Sequence, residues 1–313
     1  MPTPAGRTME AKGDRTNAGV VCGLKRFAVH DGPGIRSTLF LKGCPMRCAW
    51  CHNPEALRPE PELGIRSHAC ALCGDCAQCC PRHRIEDGRH LFDRKHCAAC
   101  GKCVKNCFFD ALDLYGKTMT PDEAAAAILE DRLFYENSGG GATLSGGEPL
   151  LQPGFCAALL PILKRGGVHT AVDTCGDVPW AAFEAVLSAT DMFLYDFKHP
   201  DDGKHRELTG RGNGRIKENL LRLGTAGKPI EIRMPMVPGL NMDEAALAGA
   251  GAFLATVAGV TRVCLLPYHA LARPKYETVG RPDTLPPSPA PTAKELERAG
   301  DVLRACGAPV QRL

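Results

Sequence analysis

The stretch Cys44-Pro45-Met46-Arg47-Cys48-Ala49-Trp50-Cys51 decides how this chain is read. Three and then two intervening residues bring three thiols onto one tight loop. That is enough to hold three irons of a 4Fe-4S cube and leave the fourth without a protein ligand. An iron left open in this way is a substrate site. Structural zinc asks for four closed ligands, and His52 is at hand to complete such a tetrahedron. The open cluster on Cys44, Cys48 and Cys51 is the preferred reading, with zinc as its rival.

Two longer groups follow. Cys70-x2-Cys73-x2-Cys76-x3-Cys80-Pro81 and Cys97-x2-Cys100-x2-Cys103-x3-Cys107 each repeat the bacterial ferredoxin run. In that run three thiolates hold one 4Fe-4S cluster and the fourth crosses to the other. The expected sharing is Cys70, Cys73, Cys76 and Cys107 on one cluster, with Cys97, Cys100, Cys103 and Cys80 on the second. Phe108 stands where a second proline would complete the pattern, and Cys79 is an alternative to Cys80. A pair of zinc knuckles is the rival here too. The two runs read as an inserted ferredoxin-like domain over residues 59–115.

Eleven of the 17 cysteines are thereby grouped, and Cys22, Cys79, Cys156, Cys175, Cys264 and Cys306 are left as scattered thiols, small and buried for the most part. The remaining composition of this 313-residue chain is ordinary, at 44% hydrophobic and 23% charged. With 38 basic and 35 acidic residues and no basic run, nothing marks it for nucleic acid or for an anionic membrane. No apolar run reaches the roughly 18 residues of a spanning helix. Residues 1–18 read as a disordered polar tail without the apolar core of a signal peptide. A cytoplasmic setting, where thiols stay reduced, makes metal chemistry a better account of the cysteines than disulfides.

Outside the cysteine groups, apolar β-branched runs alternate with helical patterns, the signature of βα units on a parallel sheet. The capping box Thr120-Pro121-Asp122-Glu123 opens a helix expected to run to about Tyr135. Strands are expected over 142–145, 168–173, 192–196, 229–237 and 260–266. Helices are expected over 154–165 and 214–226 and from Trp180, Asp243 and Thr292. Six to eight units make a partial (β/α) barrel from residues 19–58 and 116–313, with its chemistry at the C-terminal strand ends. Ser145-Gly146-Gly147-Glu148-Pro149, Asp173-Thr174-Cys175-Gly176 and Asp196-Phe197-Lys198-His199 lie at such ends, with Arg233 and His269 on the same rim. The two glycines free backbone groups for a ligand, and Glu148 offers an acceptor for an ammonium.

These residues together resemble the radical S-adenosylmethionine enzymes that activate glycyl radical enzymes. The resemblance rests on Asp31-Gly32-Pro33-Gly34-Ile35-Arg36-Ser37-Thr38, on Cys44-x3-Cys48-x2-Cys51-His52-Asn53-Pro54-Glu55 and on the 137–149 loop. Asp196-Phe197-Lys198, Val237-Pro238-Gly239, Leu265-Leu266-Pro267-Tyr268-His269 and Lys275-Tyr276-Glu277 extend it from Gly19 to Gly280. It implies a radical SAM partial barrel whose open cluster binds S-adenosylmethionine. Reductive cleavage then yields a 5′-deoxyadenosyl radical, which takes hydrogen from a backbone glycine of the partner. It also implies that Trp50, Cys51, His52, Gly146, Gly147, Asp196, Phe197, Lys198 and His269 form the cofactor site. Asp196, Lys198 and His269 would reach the carboxylate or ribose. Asp173 and Asp196 sharing a monovalent cation is the second reading of that corner. The implied partners are a glycyl radical enzyme and a flavodoxin or ferredoxin donor, with the chain a monomer and the inserted clusters either relaying electrons or docking the partner. A radical enzyme acting on a small metabolite and a pure electron carrier are the competing functions. The missing fourth cysteine beside Cys51 argues against the carrier, because carriers close their clusters.

Overall fold

In the computed structural model, residues 15–310 are described. An antiparallel pair comes first, β1 (Gly19–Ala28) and β2 (Arg36–Leu41). Four short strands lie off the main sheet: β3 (Glu62–Ile65), β4 (His83–Glu86), β5 (Arg89–Phe92) and β6 (Leu112–Tyr115). Then follow β7 (Lys117–Met119), β8 (Gly141–Gly146), β9 (His169–Thr174), β10 (Met192–Asp196), β11 (Ile230–Met236) and β12 (Val260–Pro267). The main sheet has eight strands in the order β12-β11-β10-β9-β8-β2-β1-β7. Six of them, from β12 to β2, run parallel, while β1 and β7 pair antiparallel at one edge. β12 and β7 are the two ends of the order, so the sheet stays open, consistent with a partial barrel. The antiparallel β1 and β7 are an addition to the expected βα alternation.

The central parallel strands are buried almost throughout, as a sheet covered on both faces requires. The expected elements appear within a residue or two. Helices Pro153–Arg165, Trp180–Leu187, Gly214–Thr225, Glu244–Leu254 and Ala293–Ala305 alternate with the strands and share one hydrophobic core with them. Both Thr120/Glu123 and Thr292/Glu295 form complete capping boxes.

Two expectations need correction. The helix opened by Thr120 does not run through to Tyr135 but divides into Pro121–Leu129 and Arg132–Ser138. At the joint, the Asp131 carboxylate accepts the Ser37 hydroxyl at 2.5 Å and pairs with Arg26 at 2.7 Å. Those bonds to β1 and β2 outweigh helical continuity. Of the expected tail, residues 1–14 lie outside the described residues, and Arg15–Asn17 forms a helical turn rather than loose chain.

Residues 62–115 have their own small core around Leu63, Cys76, Cys103 and Leu112. β3 pairs with β6 and β4 with β5, both antiparallel. The two cysteine runs share a backbone device. Leu72 and Ala99 have φ of 58° and 49°, and Gly74 and Gly101 have φ of 85° and 72°. One left-handed residue thus precedes, and another follows, the second cysteine of each run, curling its thiols inward. Arg94 donates to the Leu63 carbonyl within this region and, at 2.8 Å, to the Thr278 carbonyl, which ties the region to the rest.

The loop from Asp31 to Arg36 folds against the glycines before β8. A Cβ on Gly140 would lie 1.8 Å from the carbonyl oxygen of Ile35, whereas one on Gly23 would meet nothing within 4 Å. Gly140→Ala is therefore expected to lower the urea midpoint, costing about 2 kcal/mol or more, while Gly23→Ala stays within about 0.5 kcal/mol. Equal midpoints for the two variants would contradict this packing.

Candidate functional site

The three-cysteine loop leaves the end of β2 and is closed on itself. Gly43 N–H donates to the Ala56 carbonyl at 2.8 Å and Cys44 N–H to that of Leu57 at 3.2 Å. Farther along, the Arg47 and Ala49 N–H groups donate to the carbonyls of Thr209 and Leu208 at 2.8 and 2.9 Å. These two acceptors end the helix Asp202–Thr209. Trp50 is buried among Leu208, Val237, Tyr268 and Tyr276. The far side of the loop is clamped by the helix Arg273–Thr278, where the Tyr276 hydroxyl donates to the Cys51 carbonyl at 2.9 Å. Next to it, Lys275 reaches the His52 carbonyl at 3.0 Å and Glu55 at 2.6 Å. The Lys275-Tyr276-Glu277 motif thus contributes to the site by fixing the cysteine loop.

The loop opens onto a cavity of ≈ 440 Å³ at the C-terminal ends of the parallel strands. Cys44, Cys48 and Cys51 all line it, as do Trp50, His52 and His269. So do Gly146, Gly147, Asp196 and Lys198 from the ends of β8 and β10. The His52 and His269 rings stack at 4.3 Å, and His52 Nε2 lies 2.9 Å from the His269 carbonyl. Asp173, Arg233 and Asp31 form one charged wall, in which Arg233 lies 3.6 Å from each of the two carboxylates. Ser145 donates to Asp173 at 2.6 Å. Lys198, largely buried, pairs with Asp196 at 2.5 Å. Asp173 and Asp196 therefore already have side-chain cations as counter-charges. Burial pushes the Asp173 carboxyl up to about 7 against the pull of Arg233. On Lys198, burial acts downward, but Asp196 and nearby thiols outweigh it and hold the ammonium above its ordinary value.

Three residues are placed differently from the sequence reading. Phe197 does not line this cavity: its side chain is buried and stacks on Phe253 at 5.4 Å, because alternation along the chain turns it away from Asp196 and Lys198. Glu148 is fully buried and does not line this cavity. Its carboxylate accepts the Thr174 hydroxyl at 2.9 Å, Cys175 N–H at 2.7 Å and Leu150 N–H at 3.0 Å. Burial raises its pKa, and these hydrogen bonds oppose the rise. Cys175, left among the scattered thiols by its spacing, lines the cavity together with Cys44. Interaction between these two thiols holds Cys44 below its ordinary value and, with burial, Cys175 well above its own. The signal for Cys175 was its place at a strand end, within Asp173-Thr174-Cys175-Gly176. The Gly-Gly turn also has a packing role, since a Cβ on Gly147 would lie 2.1 Å from the Gly43 carbonyl oxygen.

Burial pushes Cys48 up to about 12 and Cys51 up to about 11. Both are held as thiols until a metal displaces their protons, the usual coupling of thiolate ligation to proton release. In the region 62–115, Cys70, Cys73, Cys76 and Cys107 line one small cavity. A second, of ≈ 180 Å³, is lined by Cys80, Cys97, Cys100 and Cys103. Cys79 is in neither, and its thiol donates to the Cys76 carbonyl at 3.4 Å. The fourth cysteine of each run thus lines the cavity of the other run's first three.

Glu148→Ala would leave the Thr174 hydroxyl and the Cys175 N–H without their buried acceptor. A loss of about 2 kcal/mol or more in unfolding free energy is expected, read from chemical denaturation. An unchanged midpoint would contradict the stapling role.

The Radical SAM superfamily model matches residues 38–248. The isethionate sulfite-lyase activating enzyme of Nitratidesulfovibrio vulgaris is 43% identical over 282 residues, covering 87% of this chain and 91% of its own. The (2S)-3-sulfopropanediol sulfolyase activating enzyme of Bilophila wadsworthia is 39% identical over 275 residues, covering 86% of this chain and 91% of its own. Among solved structures, Streptococcus suis SuiB bound to precursor peptide SuiA matches with a TM-score of 0.51 at 11% identity, over 83% of this chain and 43% of that one, a likeness of fold alone. With three cysteines at the mouth of an open parallel sheet and relatives of this closeness over nearly its whole length, the chain belongs to the radical SAM superfamily, in the group of enzymes that activate glycyl radical enzymes.

Proposed function

We propose that Cys44, Cys48 and Cys51 hold the open 4Fe-4S cluster and that the cavity beside them binds S-adenosylmethionine for activation of a partner glycyl radical enzyme. The single observation that carries this is the convergence of three thiols, and no fourth from their own loop, on a cavity walled by buried charge. The donor set fits the group, since three clustered thiols leave one position of a cube for a substrate. When bound there, cluster and S-adenosylmethionine supply reductive cleavage to a 5′-deoxyadenosyl radical able to take hydrogen from a glycine Cα.

The chain's own residues bind, orient and exclude water. Lys198 and Arg233 offset the ligand's carboxylate, and Arg233 retains a buried Nε without a hydrogen-bond partner among the described residues. His52 and His269 present a stacked pair of rings on which an adenine can lie. Trp50 and the helix Arg273–Thr278 keep the cysteine loop rigid, which matters because orientation supplies much of such a reaction's rate. No acid–base pair is required.

The two four-cysteine cavities are read as closed 4Fe-4S sites in an inserted ferredoxin-like domain, giving three clusters per chain. Cys73 and Cys100 are exposed, which supports a role in taking electrons from a flavodoxin or ferredoxin. The same exposure would suit a docking surface, so the relay needs its own test. Sulfonate-cleaving glycyl radical enzymes are the first partners to try, given the names of the two relatives above.

Reconstituted anaerobically, the protein is expected to carry about 12 irons per chain and, with reductant, to convert S-adenosylmethionine into 5′-deoxyadenosine and methionine. Cys48→Ala should abolish that release while keeping the other two clusters' iron; retained cleavage would remove the central assignment. In a separate assay driven by reduced flavodoxin in place of dithionite, Cys73→Ala should slow cleavage. An undiminished rate would leave docking as the insertion's role.

A further inference from the structure

Between the two four-cysteine cavities lies a pair of histidines for which the proposed chemistry has no role so far. His83 opens β4 opposite Phe92, and His90 lies on the paired strand β5 opposite Ile85. His83 lines the cavity of Cys80, Cys97, Cys100 and Cys103, while His90 lines that of Cys70, Cys73, Cys76 and Cys107. The ring centroids are 5.0 Å apart, with His83 Nδ1 2.8 Å from His90 Nε2. His90 also approaches two thiols, its Nδ1 lying 3.8 Å from Cys70 Sγ and its Nε2 3.7 Å from Cys76 Sγ.

His83 is only 2% exposed, and its ring stacks on Phe92 at 4.6 Å. Its Nε2 is buried without a hydrogen-bond partner among the described residues. Buried polar groups in native proteins are nearly always paired, so such an atom calls for an acceptor. With Nδ1 taken by His90, the ring's remaining nitrogen belongs to a side chain that walls the second cavity. When His90 Nε2–H donates to His83 Nδ1, the proton of His83 stands on Nε2. Hydrogen bonds to sulfur are one of the levers that set an iron–sulfur cluster's potential, because they favour the more negative reduced form.

We propose that His83 donates its Nε2 proton to a sulfur of the cluster held by Cys80, Cys97, Cys100 and Cys103, in a tautomer fixed by His90, and that this bond raises that cluster's midpoint potential. The inference rests on the three-cluster reading and goes beyond it. It gives the second cavity a donor within its own wall and makes His90 the positioning residue that couples the first cavity to the second.

The test is a redox titration of the holoprotein followed by electron paramagnetic resonance. His83→Leu is expected to keep the full iron content while the reduced-to-oxidised ratio of one insertion cluster falls at least tenfold at a fixed potential, about 59 mV for one electron. His83→Gln, which keeps a donor, should restore most of that loss. In wild-type protein labelled with 15N-histidine, the reduced cluster should show a weak 15N coupling. Full iron with unshifted potentials in His83→Leu would overturn the proposal. Absence of the 15N coupling would also overturn it, and that measurement decides the matter if the leucine variant loses iron. About four irons in the wild-type protein would instead remove the three-cluster reading beneath it.

Discussion

A buried carboxylate holds this site together. Glu148 sits in the turn after β8, receives hydrogen bonds from Thr174 and Cys175 at the end of β9, and gives its own N–H to the Gly43 carbonyl at 2.7 Å. One residue therefore joins the beginning of the cysteine loop, the Gly-Gly turn and the next strand end. A charge removed from water is tolerable only when its acceptor positions are filled, and here neighbouring N–H and O–H groups fill them. The arrangement sets Cys175 against Cys44 and brings Gly147 so close to Gly43 that no side chain fits between them.

From that staple the rest follows in layers. The open sheet sets its C-terminal strand ends around one cavity, and the charge there is balanced by side chains: Asp196 by Lys198 two residues on, Asp173 by Arg233 from β11, two strands away. The helix Arg273–Thr278 fastens the far end of the cysteine loop through carbonyls, so the loop's geometry does not depend on its own short sequence alone. Opposite charges at close range in a partly buried wall can meet a zwitterionic ligand with little rearrangement, the preorganisation that favours radical chemistry kept from water.

Much of this was legible in the sequence because the signals were spacings. The crossing of Cys80 and Cys107 between cavities is a property of the repeated run, and the structure groups the side chains the same way. The capping boxes at Thr120 and Thr292 and the alternating strands were readable for the same reason: each is a local pattern with a local cause. What escaped depends on contacts between distant segments. Phe197 shares a motif with Asp196 and Lys198, yet its side chain packs on Phe253, over fifty positions later. Glu148 looked like a ligand group because its motif ends a strand; only the fold shows Thr174 and Cys175 enclosing it. The break at Asp131 depends on Ser37 and Arg26, about a hundred positions earlier, and no helical periodicity announces it.

The central claim is that three thiols at the mouth of this sheet generate a radical that ends on a partner's backbone. The most direct measurement is an anaerobic mixture of the reconstituted protein, reductant, S-adenosylmethionine and the glycyl radical enzyme encoded nearest to it, examined by electron paramagnetic resonance. The account predicts a stable doublet from a glycine-centred radical, present with the wild-type protein and absent with Cys48→Ala. Formation of 5′-deoxyadenosine in the wild-type mixture without any such radical on the partner would contradict it.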